Sequence, residues 1–418
     1  MTDHYGAFRL NFEQQQKRAK ELLKAARAGD PAAAARFKGS IPKLAEAQFL
    51  IARELRFENW GALKRHIAAM SLERGAMSAS VPDGDLRTLH IRCGSDLKVP
   101  LQEAGFCGDF YEHSYPYLIG PVHEGADCLD ERARFLVDSY GDSRTPPLTY
   151  ESTLRALERD EQLLHDSANY ERVAIWSEGD CFDQLVLIRL LGHYATHRRP
   201  RRLDLINTGD FPGSVCFIGM GQLPPEALRL LWTARRPAAA AQLELGLNAW
   251  RALASPDPRT LATIMLSGTP ALPLLAPALH RHLRELPSLR NGLSFTEEMA
   301  LTILAEQPES LDRMIGRMNY VIDPLPGQGD FQVRDRVLAM ERTGARVFTR
   351  SSGVDREGKA RPPWTDVLTI TEIGRAILRA EVDFRSLNPP SRWVGGVQIG
   401  SGNVDWRWDD QVREAVRR

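Results

Sequence analysis

At 418 residues the chain exceeds what one hydrophobic core supports, about 250 to 300 residues, so two to four folded units are expected. Its 54 basic and 54 acidic residues balance, which removes the general electrostatic argument for nucleic acid, membrane surface or polyanions as partners. With 43% apolar and 26% charged residues the composition is that of a folded globular chain rather than a disordered one.

Five cysteines, Cys93, Cys107, Cys128, Cys181 and Cys216, form an odd set without CxxC spacing, so neither a disulfide framework nor a zinc ribbon is indicated. No stretch approaches the roughly 18 uninterrupted apolar residues of a membrane span, and "MTDHYGAFRLNFEQQQ" lacks a charged-then-apolar leader. The expectation is a cytoplasmic protein with no membrane partner.

In chain order, residues 1–70 read as a helical module. "NFEQQQKRAKELLKAARAGD" puts Phe12, Ala19, Leu22, Leu23 and Ala26 on one side at helical spacing and stops at Gly29. "PAAAARFKG" and "KLAEAQFLIARELRFENWGALKRHIAAM" repeat the pattern, with Phe57 and Trp60 as core anchors. Residues 71–87 are small, polar and turn-forming and read as a linker.

Residues 88–222 alternate apolar runs with helical stretches, with strands expected at 89–93, 109–112, 172–176 and 202–206 and helices after the first and third. Strand, helix, strand in succession predicts an α/β fold: a small, parallel-sheet, Rossmann-like domain. Residues 223–291 are rich in proline, leucine and alanine and read as a helical connector. In residues 292–418, Ser294 with Glu297 makes a capping box, and helices lead to a hairpin, "ARVFTR" to "DVLTITEIGRAIL", closed by a helix. That succession looks winged-helix-like, and the tail predicts a last hairpin around residues 400–403.

Ligands of parallel sheets bind beyond the carboxyl ends of the strands. At the third strand's end, "WSEGDCFDQL" sets three acids inside an apolar stretch. Asp180 is placed to cap the next helix, with Asp183 its third residue, where carboxylates favour the positive end of the helix dipole. The functional alternative has Glu178, Asp180 and Asp183 line a crevice, with Gln184 beside them, to hold a divalent metal or a sugar hydroxyl or to act as a base.

At the first strand's end, Ser95 or Asp96 precedes a helix and either caps it or meets a ligand, Ser95 being suited to a phosphate. His113, beside Glu112 at the end of the second strand, is a candidate proton carrier, and His123 follows in a loop. His193 and His197 of "HYATH" share a helix face, but Tyr194 stands where a zinc protease carries its glutamate, so both are expected to face solvent. No GxGxxG, P-loop or GxSxG sequence is present, and no cofactor is named by the sequence.

From Leu89 onward the chain resembles a bacterial family catalogued as domain of unknown function 1835, with the companion C-terminal domain often joined to it. The resemblance rests on "LHIRCGSDLKVPLQEAGFCGDF", "GPV", "ERARFL", "WSEGDCFDQLVLIRLL", "FIGMGQL", "LRELPSLRNGLSFTE", "LTITEIGRAIL", "RWVGGVQI" and "WRWD", in that order. The chain departs from the family pattern at "GSD" and at Gly179, where the family usually has histidine. "AEAQFLIARELRFENWGALKRHI" is similar to a helical segment that precedes other domains in bacterial proteins, including some with ankyrin repeats. The resemblance implies a domain layout and no activity.

Two functions follow as expectations. The first is binding, and transformation, of a small polar or phosphorylated ligand at the carboxyl edge of the sheet. The second is a noncatalytic regulator or adaptor that contacts nucleic acid or protein through residues 292–380.

Overall fold

The structure is a computed structural model that describes residues 5–39, 41–141, 147–213, 217–323, 325, 328–353, 362–400 and 402–418. The chain is a mixed α/β protein, 50% helical, with a five-stranded, mostly parallel sheet. It divides into two units, each drawn from three separate segments.

The first unit comprises Met1–His113, Ser167–Glu178 and Pro200–Pro237. It opens with four helices, α1 (Phe12–Arg27), α2 (Pro31–Ala35), α3 (Leu44–Glu54) and α4 (Trp60–Ala76). Their starts are written in local sequence: the side chains of Asn11, Asp30 and Asn59 accept the backbone N–H of Gln14, Ala33 and Ala62. Beyond α1, Gly29 takes the left-handed backbone, φ 86°, that ends a helix without strain. Phe37, Ile51, Phe57 and Leu63 are buried in one apolar cluster, with Trp60 half-buried against it. The helix α4 runs on to Ala76, well into the stretch read as linker, because nothing before "SASVPDG" breaks it.

The sheet follows, with β1 (Thr88–Arg92), β2 (Asp109–Glu112), β3 (Arg172–Glu178), β4 (Arg202–Thr208) and the two-residue β5 (Arg236–Pro237). The order is β2-β1-β3-β4-β5, parallel except for β5. The expected strands are all present, and β3 and β4 run two residues longer than their apolar runs suggest. Two helices also belong here, α5 (Lys98–Glu103) and α9 (Pro225–Ala234).

One sheet face packs Trp176 and Ile206 with Leu101, Phe106, Leu228 and Trp232. Within it Trp176 Nε1, which can only donate, gives its hydrogen to His90 Nδ1 at 3.1 Å. The other nitrogen of His90 therefore carries the proton and donates to Asp83 at 3.0 Å. Asp83, fully buried, also accepts the N–H groups of Cys107 and Gly108 at 3.0 and 2.7 Å. Every polar atom of this relay has a partner, so it pins the entry to β1 against β2.

The second unit comprises Ser114–Asp166, Gly179–Arg199 and Ala238–Arg418. Its helices are α6 (Cys128–Tyr140), α7 (Tyr150–Asp166), α8 (Cys181–Thr196), α10 (Ala240–Leu253), α11 (Arg259–Leu266), α12 (Leu275–Leu283), α13 (Phe295–Glu306), α14 (Leu311–Arg317), α15 (Asp330–Ala339) and α16 (Glu372–Leu378). Buried on nearly every side, α8 packs on α10 and α12, while α6 packs on α7. The stretches 88–222 and 223–291, read as one domain and one connector, are therefore each divided: α6 to α8 and α10 to α12 fold into the second unit, whereas the strands and α9 belong to the first.

Toward the C-terminus, β6 (Glu309–Ser310), β7 (Phe348–Ser351) and β8 (Val367–Ile370) form an antiparallel sheet of order β6-β8-β7. Its apolar face joins Leu301, Leu304, Ile315, Val337, Phe348 and Leu368 in one core. The capping box is formed, Ser294 and Glu297 each satisfying the other's backbone N–H. Residues 354–361, most of the charged turn between β7 and β8, lie outside the described residues.

The tail holds two hairpins, not one: β9 (Arg392–Val394) with β10 (Val397–Ile399), and β11 (Trp406–Asp409) with β12 (Glu414–Arg417). The turn expected at residues 400–403, of which 401 lies outside the described residues, instead connects them. Among the described residues no helix is long and apolar enough to cross a membrane.

Candidate functional site

The carboxyl edge of the sheet is occupied by an ion pair. Because β2, β1 and β3 are neighbours, the ends of three strands adjoin, and Arg92, the last residue of β1, stands among them. Its guanidinium is buried and donates to Glu178 Oε1 at 2.7 Å and to both oxygens of Asp96 at 3.1 and 3.2 Å. The same Glu178 oxygen accepts the Met220 N–H at 2.5 Å. A Cβ at Gly219 would lie 2.7 Å from Glu178 Oε2, so backbone closes over that side of the carboxylate. Glu178 thus anchors the 219–220 turn and pairs with Arg92. Arg92, the cation that organises this edge, was not singled out in the sequence; its only signal was a charge at the end of an apolar strand.

Ser95 is exposed, and neither Ser95 nor Asp96 caps the following helix: the cap of α5 is Leu97, with no side-chain bond, and Asp96 turns to Arg92 instead. The alternative of capping at this point is therefore set aside. His113 is fully buried, its Nδ1 2.9 Å from the Tyr111 hydroxyl two residues back on the same strand face, and its backbone N–H extends the pairing to Arg92.

In the second unit Asp180 caps α8 as expected, accepting the N–H of Asp183 at 2.9 Å, and Asp183 is the third helical residue. Asp183 and Gln184 are both buried. The division of the chain falls between Glu178 and Gly179.

The second unit holds a pocket of about 470 Å³ that the acids do not line. Its walls come from α6 (Cys128, Arg132), α7 (Leu157, Glu161), α8 (Arg189, His193, His197), α10 (Trp250, Arg251) and the loop carrying Tyr117, His123 and Glu124. His193 and His197, four residues apart, stack with ring centres 4.4 Å apart and planes 7° apart. They do not both face solvent as expected. His197 is exposed at the end of α8, its Nδ1 3.1 Å from the His193 carbonyl, whereas His193 is 5% exposed and its Nε2 is buried with no hydrogen-bond partner. The difference has a physical cause: α8 is buried around nearly its whole circumference, polar residues included, so a polar side chain on it need not face solvent.

Burial, reinforced by the charge of Arg189, pushes His193 down to about 3, so its ring is neutral at pH 7. Burial also lowers Arg132, whose hydrogen bonds go to the carbonyls of Pro116, Ile119 and Pro121 at 3.1 to 3.3 Å, with Nε left unpartnered. Burial opposes the charge of Arg189 as well, but Tyr117 and Glu161 outweigh it and its pKa is raised. Arg189 donates to Glu161 at 2.5 Å and lies over Trp250, 5.3 Å from the ring centre. Tyr117 meets the edge of Trp250 at 4.9 Å, and burial pushes its hydroxyl up to about 12. Burial raises the Cys128 thiol too, which keeps it protonated and unreactive. Three lining arginines, Arg132, Arg189 and Arg251, against two glutamates, Glu124 and Glu161, leave one net positive charge.

No family model matches the chain, and no curated protein sequence matches it.

Proposed function

We propose that the protein binds a small anionic organic molecule in the pocket of the second unit, with Arg132 supplying charge, His193 Nε2 a hydrogen bond, and Tyr117 and Trp250 apolar contact. The observation that carries this reading is the buried, unpartnered Nε2 of His193 in the wall of a 470 Å³ cavity. Buried polar atoms are nearly always hydrogen-bonded, and one that is not, beside a cavity of ligand size, is explained by a ligand atom. The ligand class remains the small polar molecule expected from the sequence; its place moves from the sheet edge, where Arg92 already pairs with Glu178 and Asp96. Acid–base chemistry has less support, since a histidine held near 3 is a weak base at pH 7.

The test is calorimetric titration of small aromatic and aliphatic carboxylates and phosphate monoesters into wild type and His193→Phe, which keeps a ring and removes its nitrogens. Binding in wild type, weakened about tenfold in the variant as loss of one buried hydrogen bond implies, is expected. Equal affinity in the two proteins refutes the assignment.

We read the sheet as Rossmann-like, which the parallel order β2-β1-β3-β4 supports, and the region around β6-β8-β7 and α16 as winged-helix-like, which its hairpin-then-helix succession supports. Nucleic-acid contact through residues 292–380 has less support: Arg334 is held by Asp335 and lies over Phe331 and Trp364, and Arg379 is held by Glu372 and Glu381. A cytoplasmic location is supported by Cys107, Cys128 and Cys181, which are free thiols. Membership of the domain-of-unknown-function 1835 family is likewise our reading, supported by the ordered segments quoted above.

A further inference from the structure

A second cavity in the same unit, of about 530 Å³, shares only Tyr115 and Leu157 with the lining of the pocket described above. It lies between α6, which contributes Leu136 and Tyr140, α7, which contributes Thr153 and Ala156, and the start of α15, which contributes the exposed ring of Phe331. No charged side chain is among its lining residues, whereas three arginines and two glutamates line the first.

Thr153 is 8% exposed, and its hydroxyl oxygen is buried without a hydrogen-bond partner. A helical threonine ordinarily turns its hydroxyl to the carbonyl one turn back. Here that carbonyl, of Thr149, already accepts the Thr153 N–H and the Ser152 hydroxyl, each at 3.0 Å, so both its lone pairs are taken. Two further polar groups of the wall are committed within the protein: the Tyr115 hydroxyl donates to Asp160, and Gln332 Oε1 accepts the Gly329 N–H at 2.5 Å. Burial pushes the Tyr140 hydroxyl up to about 12, in keeping with weakly polar surroundings.

A buried water seeks about two to four polar partners, which this wall does not offer, and a charged ligand finds no counter-ion on it. An organic molecule that covers the apolar walls and meets one hydroxyl is suited to the cavity. We propose that this cavity is a second binding site, for an uncharged, largely apolar molecule whose hydroxyl or carbonyl oxygen hydrogen-bonds to Thr153.

The experiment is calorimetric titration of 1-naphthol, uncharged at pH 7, into the full chain for wild type, Thr153→Val, Ala156→Trp and His193→Phe, with 1-naphthoate as the charged competitor. A single molecule of 1-naphthol is expected to bind wild type and His193→Phe alike. Binding should be about tenfold weaker in Thr153→Val, through loss of one buried hydrogen bond, and lost in Ala156→Trp, whose indole fills the space. Absence of binding to wild type overturns the proposal, as does undiminished binding to Thr153→Val or to Ala156→Trp. Weakened binding in His193→Phe would put the molecule in the first pocket, and 1-naphthoate displacing 1-naphthol with equal affinity would remove the uncharged class; either result overturns it. Thr153→Val keeps the shape of the side chain and gives up no hydrogen bond, so in urea it should unfold no earlier than wild type. Earlier unfolding would show the hydroxyl already bonded within the protein and likewise overturn the proposal. Should Ala156→Trp fail to fold, Thr153→Val decides the matter.

Discussion

The crossing of α8 and α10 carries both His193 and Trp250, and two glycines set its closeness. Gly246 on α10 is the tighter: an added Cβ would lie 2.4 Å from Leu191 Cβ, more than 1 Å short of the ordinary carbon–carbon separation of about 3.5 to 4.0 Å. Leu191 cannot yield, since its Cβ is fixed to the backbone of α8, so Gly246→Ala must push the helices apart. Overpacking of this kind costs about 1 to 3 kcal/mol, against about 1 kcal/mol gained from alanine's helix propensity. The difference is a net loss of about 0 to 2 kcal/mol, and the backbone-fixed 2.4 Å contact puts it in the upper half of that range. Gly192, on the facing helix, differs: its added Cβ would meet Trp250 Cβ at 3.4 Å and Leu247 Cα at 3.5 Å, ordinary contacts. Gly192→Ala should therefore be neutral or stabilising by up to about 1 kcal/mol. Urea denaturation of the three proteins checks this, with each kcal/mol equal to a melting shift of roughly 2 to 4 °C. Gly246→Ala as stable as wild type, or Gly192→Ala the weaker of the two, refutes the reasoning.

Further expectations concern pH and individual side chains. His193 and His282, lowered by burial to about 3 and about 4, bind protons in the unfolded chain at a pH where the folded chain does not. Their stabilisation is therefore complete above about pH 6.5 and lost as pH falls toward their folded values, about 2 kcal/mol each by pH 5. Denaturation free energies between pH 5 and 8 test this, and a flat profile contradicts it. Asp83 and Glu285, held at about 2, weaken the protein only below about pH 4. Asp83→Ala leaves two backbone N–H groups and His90 without their acceptor and should lower stability by about 2 to 4 kcal/mol in urea denaturation, whereas a loss under about 1 kcal/mol would show that water replaces the carboxylate. Asp180→Ala removes the cap of α8, costing about 1 kcal/mol, while carboxylate binding in calorimetry stays unchanged because Asp180 does not line the pocket; a lost ligand response would restore the acids as a site.

Local features of the fold were legible in the sequence because their causes are local. The alternation at 109–112, the Asp180 cap with Asp183 three residues on, and the Ser294–Glu297 box each depend on residues within one turn, and each is where it was expected. What tertiary structure alone decided is which chemistry meets in space. Ser95, Asp96, His113 and Glu178 were sensible candidates at strand ends, yet whether Glu178 is an open carboxylate depends on Arg92, 86 positions away in sequence. His193 and Arg132 gave no local sign of their role, since one lies in a helix buried on nearly every side and the other in an amphipathic one. Both become notable only when α6, α7, α8 and α10 enclose a cavity and leave His193 Nε2 and Arg132 Nε buried without acceptor or donor. Spacing along a chain reports the backbone's own hydrogen bonds and the face an element buries. The partners of a buried charge come from residues remote in sequence, so only the packed structure shows whether that charge is already satisfied.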